Sequence, residues 1–130
     1  MKISCVTPSV RPDMLEIVAK CLKRQTFTEW EWLIGSPQEL FISIDRLIGH
    51  DYPFVFVTDP PKKEGNFYSL NASWNSMFKI AKGQMIISIV DGLWFPPDIL
   101  EKLWCHYQDN PMSNVSLTGN QYDQILNNKP

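Results

Sequence analysis

Short apolar runs alternate with amphipathic stretches along this chain, and the alternation sets its expected architecture. Ile3 to Val6 reads as a first strand, ended by Thr7-Pro8-Ser9. Pro12 to Arg24 reads as a helix, with Pro12 at its first position and Leu15, Val18, Ala19 and Leu22 on one face. Glu31 to Ile34 is a second strand. Ser36-Pro37-Gln38-Glu39 has the form of a capping box, opening a helix that should bury Leu40, Ile44 and Leu47 and stop at Gly49. Phe54 to Val57 is a third strand, followed by a turn-rich loop, Asp59 to Asn66. Ser69 to Lys82 is a third helix, with Leu70, Trp74, Met77, Phe78 and Ala81 sharing a side. Met85 to Val90 is nearly all apolar, the pattern of a strand buried on both faces. Pro97 opens a fourth helix with Leu100, Leu103, Trp104 and Tyr107 as its face, and Asn110-Pro111 closes it. Asn114 to Thr118 has the pattern of a fifth strand. Strands alternating with helices predict a three-layer α/β/α domain with a mostly parallel sheet over residues 1–119, then a polar, mobile tail over 120–130.

In an open parallel sheet, ligands bind in the crevice outside the carboxyl ends of the strands. The residues just past the strands are Thr7, Pro8, Ser9 and Arg11, then Gly35 and Ser36, then Thr58 and Asp59, then Asp91. Hydroxyls, a cation, carboxylates and helix starts in one crevice suit a ribose and a diphosphate. Gly-x-Gly-x-x-Gly, the P-loop pattern and Gly-x-Ser-x-Gly are all missing, which argues against a dinucleotide dehydrogenase, a P-loop NTPase and an α/β-hydrolase.

Composition narrows the class further. The 130 residues are 44% hydrophobic and 20% charged, enough for one core, and the net charge of -2 gives no footprint for nucleic acid. No run approaches the length of an integral membrane span. The apolar start is too short for a signal-peptide core. Cys5, Cys21 and Cys105 are odd in number, widely spaced and set in apolar patterns, so buried free thiols and a reducing, cytoplasmic setting are expected.

Several segments, in order, resemble family-two glycosyltransferases. Ile3-Ser4-Cys5-Val6-Thr7-Pro8-Ser9-Val10-Arg11-Pro12 is similar to their opening strand and loop. Cys21-Leu22-Lys23-Arg24-Gln25-Thr26 resembles their S-L-x-x-Q-T segment, and Glu31-Trp32-Leu33-Ile34 their second strand. Asn71-Ala72-Ser73-Trp74-Asn75 with Ala81-Lys82-Gly83-Gln84-Met85-Ile86, then Val90-Asp91 and Pro96-Pro97-Asp98-Ile99-Leu100-Glu101, resemble the stretches that follow. The resemblance covers about residues 3–110. It implies a GT-A fold with strand order 3-2-1-4 and a nucleotide-diphosphate sugar as ligand, with UDP the commonest carrier. The implied reaction is inverting transfer to an acceptor that the sequence does not identify. It also implies Mg²⁺ or Mn²⁺ held by an Asp-x-Asp motif at the end of the fourth strand.

On that resemblance Thr7 and Pro8 match the loop beside the nucleoside. Ser9, Arg11 and Ser36 complete the expected nucleotide contacts, and Asp91 is the expected nucleotide and metal ligand. Trp94, in the loop after Asp91-Gly92, is the candidate for stacking on the sugar. Each has a plainer reading: Asp91 as a turn residue, Ser36 as a helix cap, Arg11 and Lys62-Lys63 as solvated loop charges, and Trp74 and Trp104 as core. The sequence departs from the family where Gly35-Ser36 replaces acids after the second strand, and where Asp91-Gly92-Leu93 keeps a single acid. The family's acceptor half and catalytic base cannot be placed in these residues, as expected of either a piece of a longer chain or a minimal relative. Two further readings stand beside a transferase domain. One is a degenerate binding or assembly module, a homo-oligomer covering the open side of the sheet. The other is a phosphate-handling enzyme of a different Rossmann-like family.

Overall fold

The computed structural model of the chain describes residues 2–49, 54–60 and 70–112. Strand β1 (Ile3–Pro8) leads through a 3-10 turn over Pro12–Met14 into helix α1 (Leu15–Lys23). Strand β2 (Trp30–Ser36) leads through a second 3-10 turn, Gln38–Leu40, into helix α2 (Phe41–Ile48). Strand β3 (Phe54–Thr58), helix α3 (Leu70–Ile80), strand β4 (Met85–Ser88) and helix α4 (Ile99–Asp109) complete the order. The four strands form one sheet in the order β3-β2-β1-β4, with every pairing parallel. This is the α/β architecture and the strand order expected.

Register fixes the two faces. Ile3, Cys5, Trp32 and Ile34 pack with Leu15, Val18, Leu22, Ile44, Leu100 and Trp104, so α1, α2 and α4 cover one face. Val6 and Leu33 pack with Met77, Val57 and Trp74, so α3 covers the other. β1 is central and buried throughout, which obliges its polar residues to find partners. Ser4 donates to the buried Glu31 carboxylate at 2.6 Å. The Lys82 amide donates to the same carboxylate oxygen at 2.7 Å, and the Gly83 amide to the Ser4 hydroxyl at 2.7 Å. The α3–β4 turn is thereby pinned against β1. A Cβ on Gly83 would overlap the Ser4 backbone nitrogen and stand 2.7 Å from the Ile3 carbonyl carbon, so this approach admits only glycine.

Four expectations are corrected. β4 is shorter than the apolar run and is an edge strand among the described residues; its burial alternates, leaving Ile86 exposed, and Val90, just past the strand, is exposed as well. A buried strand and a half-covered edge strand both read as apolar when the outer positions happen to be Ile and Val. The capping box at Ser36 does not form, because β2 runs on through Ser36 and Pro37 caps the following turn without a side-chain bond. In α2 the buried residues are Ile44 and Ile48, with Leu40 partly buried and Leu47 exposed, since the 3-10 turn shifts the phase of the helix. Cys5 and Cys21 are buried free thiols, but Cys105 is exposed. Burial, with the Glu31 charge added, pushes the Cys5 thiol far up. The fifth strand, the start of the third helix at Ser69, Lys62-Lys63 and the tail lie outside the described residues. No described helix is long and apolar enough to cross a membrane.

Candidate functional site

At the carboxyl end of the sheet, each loop departs from a fixed backbone point. The Ser9 amide donates to the Gly35 carbonyl at 2.8 Å, the Asp59 amide to Ser36 at 3.0 Å, and the Ile89 amide to Val6 at 2.9 Å. These bonds carry the ladder past each strand's end, so the side chains that follow are placed rigidly.

Three of the expected residues meet there. The Ser9 hydroxyl donates to Asp91 Oδ2 at 3.0 Å. A terminal guanidinium nitrogen of Arg11 donates to Asp91 Oδ1 at 3.0 Å. The Arg11 amide donates to the Ser9 hydroxyl at 3.2 Å, so Ser9 bridges backbone and carboxylate. The Asp91 side chain is 11% exposed and that of Arg11 is 62% exposed. Both carboxylate oxygens are therefore engaged from within, while the guanidinium opens to solvent. Gly92 takes φ 79, a left-handed conformation that other residues rarely adopt, and its amide donates to the Met14 carbonyl at 3.0 Å. That turn aims Asp91 back at the loop after β1.

The segment after Asp91 is tied down by the end of α1. Gln25 Nε2 donates to the Pro96 carbonyl at 2.8 Å and to the Cys21 carbonyl at 3.1 Å. Gln25 Oε1 accepts from the Leu100 amide at 3.1 Å. Asp98, the N-cap of α4, makes no side-chain cap bond, so Gln25 caps that helix from another element. The Thr26 amide donates to the Pro97 carbonyl at 2.9 Å, and the Thr26 hydroxyl to Glu101 at 2.9 Å. The Gln-Thr pair carried the family resemblance, yet nothing in the sequence assigned it a task. Only the contact of residues about seventy positions apart reveals one.

The remaining expected residues lie apart from this cluster. Thr7 is fully buried, and its hydroxyl accepts from the Trp32 indole nitrogen at 2.9 Å, on the core side of the sheet. Pro8 is buried at the end of β1. Ser36 is buried at the end of β2, and its hydroxyl has no hydrogen-bond partner among the described residues. Trp94 is 57% exposed, three residues past Asp91. Both Asp59 carboxylate oxygens, the Ser73 hydroxyl and the Trp74 indole nitrogen are also buried without a partner among the described residues. The side of Trp74 that packs is with Val57 and Met77, under the ends of β2 and β3. The apolar periodicity around Trp74 marks it as core and conceals its unpaired donor.

A divalent ion was expected at Asp91. The donors there are one carboxylate, with one oxygen on a hydroxyl and the other on a guanidinium. No group of three or more His, Cys, Asp or Glu stands together among the described residues. A hard cation such as Mg²⁺ or Mn²⁺ needs several oxygen ligands, and a fixed guanidinium repels it, so this donor set does not fit one.

The fold and the cluster define a parallel α/β domain with polar groups gathered at the carboxyl end of its sheet. Among solved structures the chain is similar to S. aureus TarS. The TarS 1-349 complex with UDP-GlcNAc matches with a TM-score of 0.64 at 13% identity, covering 94% of this chain and 37% of that one. The complex with UDP matches with a TM-score of 0.61 at 13% identity, covering 94% and 38%. TarS described without the residue limits matches with a TM-score of 0.60 at 12% identity, covering 95% and 24%. At such identity the likeness is one of fold, and the chain spans less than two-fifths of these structures. No protein-family model matches the sequence, and no curated protein matches it.

Proposed function

We propose that this chain is a nucleotide-diphosphate-sugar-binding domain of the glycosyltransferase kind, with a UDP-sugar as its ligand and inverting transfer as its chemistry. The observation that carries the proposal is the meeting of Ser9, Arg11 and Asp91 from two separate loops at the carboxyl end of β1 and β4. That is where open parallel sheets bind ligands. The TarS complexes with UDP and UDP-GlcNAc, matched in fold, support the choice of nucleotide.

In this reading Arg11 meets the diphosphate, and Ser9 and Asp91 hold Arg11 and the loop in place. Trp94 offers an apolar face to the sugar. Inverting transfer also needs a base to deprotonate the acceptor hydroxyl. Asp91 is held by Arg11 and does not fill that role.

Calorimetric titration with UDP and UDP-GlcNAc tests the proposal, with ADP as the control. Binding of the uridine nucleotides, weakened in Asp91→Ala, is the expected result. No binding of any nucleoside diphosphate refutes it. That outcome would favour the second reading, an assembly module without catalysis. The exposed apolar side chains of Ile86, in β4, and Val90, just past it, support that alternative, and a homo-oligomer in light scattering is its signature.

A further inference from the structure

Asp91 is the only acid at the position where a metal ligand was expected, and its environment assigns it other work. Oδ2 accepts from Ser9 and Oδ1 from Arg11, each at 3.0 Å, and the carboxylate is largely shielded from solvent. Ser9 is itself fixed by the Arg11 amide at 3.2 Å. A cation entering here would have to displace the guanidinium and then sit beside it. The planar fork of Arg11 has five N–H donors, and one terminal nitrogen serves Asp91 while the side chain is 62% exposed. An exposed guanidinium held in orientation by a carboxylate is a preorganised partner for phosphate oxygens, which it takes in paired, charge-assisted hydrogen bonds.

The geometry points to recognition of the diphosphate without a metal ion: Arg11 supplies the positive charge, and Asp91, braced by Ser9, positions Arg11 as second partner to the ligand. Asp91 is thus a positioning residue, and Arg11 the residue that touches phosphate. The inference rests on the nucleotide-diphosphate reading and specifies how that ligand's charge is met.

The test is calorimetry on the full chain, with UDP and with inorganic pyrophosphate, each in EDTA and in Mn²⁺. Uridine, which has no phosphate, is titrated in parallel, and Mn²⁺ alone is titrated by electron paramagnetic resonance. UDP and pyrophosphate are expected to bind in EDTA with nearly the affinity seen in Mn²⁺, and free Mn²⁺ to show no site lost in Asp91→Asn. Arg11→Gln should weaken UDP about 10- to 100-fold, the value of paired hydrogen bonds from a charged donor, and leave uridine unchanged. Arg11→Lys should recover part of the affinity, since it restores charge without the fork. Asp91→Asn should weaken UDP by less than Arg11→Gln, equally in EDTA and Mn²⁺. Circular dichroism of each variant reports whether it is folded. UDP binding that requires Mn²⁺ and disappears in Asp91→Asn would overturn the inference and leave the proposed function standing. Absence of UDP binding in every arm would overturn both.

Discussion

Replacing Gln25 by Leu removes the clamp between α1 and the start of α4 while keeping roughly the side chain's bulk. Three hydrogen bonds are lost: Nε2 to the Pro96 and Cys21 carbonyls, and the Leu100 amide to Oε1. The Cys21 carbonyl lies in α1, so that bond is the least costly to lose. The Leu100 amide is the serious one, because Leu100 is fully buried and the N-cap residue of α4 makes no side-chain capping bond. At about 1 kcal/mol per bond, plus about 1 kcal/mol for the stranded amide, Gln25→Leu should cost about 3–4 kcal/mol. Urea unfolding followed by circular dichroism measures this as a lower midpoint at unchanged slope. Amide hydrogen exchange localises it: Leu100 should lose protection before the amides of β1 do. Gln25→Glu, which keeps the acceptor and loses the donor, should fall between wild type and Gln25→Leu. A loss under about 1 kcal/mol in Gln25→Leu, with Leu100 still protected, would refute the cap, because one stranded buried amide alone costs about that much.

Two other perturbations test the frame. Gly83→Ala forces the α3–β4 turn away from β1, because the new Cβ would run into backbone atoms of Ile3 and Ser4; a cost of about 2 kcal/mol or more by thermal unfolding is expected, and Ser4→Ala should not relieve it. Cys105 should react with a maleimide in the native protein while Cys5 and Cys21 remain protected until urea unfolds the chain, read by peptide mass spectrometry; burial and the Glu31 charge keep the Cys5 thiol protonated through neutral pH.

The sheet was legible in the sequence because strands packed against helices leave apolar runs: β1 and β2, buried almost throughout, and the partly exposed strand β3 all fell where such runs stood. The order 3-2-1-4 was not in the periodicity; it came with the family resemblance. Pattern placed β4 but overextended it and misjudged its burial, since Ile86 and Val90 are apolar whether or not anything covers them. The start of α2 was misread for a different reason. Ser-Pro-x-Glu is a cap only when the strand before it has ended, and pairing of Ser36 with Thr58 keeps that strand going.

The candidate site was legible in part, and the division follows from what the strand ends impose. Ser9, Arg11 and Asp91 could be gathered from sequence because each lies within three residues of a strand's carboxyl end in one parallel sheet, and topology alone puts such residues at one end. Their mutual bonding could not, since it depends on a left-handed turn at Gly92 and on the bond from Gly92 to Met14. Thr7 shows the converse. It also stands at a strand's end, yet odd-numbered positions of β1 face the helices α1 and α4, and the Trp32 indole takes its hydroxyl. The next residue on that side is Ser9, the first beyond the strand, which is free to turn toward Asp91. A single residue of strand length thus separates a core hydroxyl from a crevice hydroxyl. The clamp at Gln25 extends the same logic to the other side of the loop. Met14 holds the turn at Gly92, Gln25 and Thr26 hold Pro96 and Pro97, and α1 lies between them. Helix α1 therefore sets both anchors of the segment that carries Asp91, so disturbing its far end at Gln25 should be felt at the carboxylate through the loop it tethers.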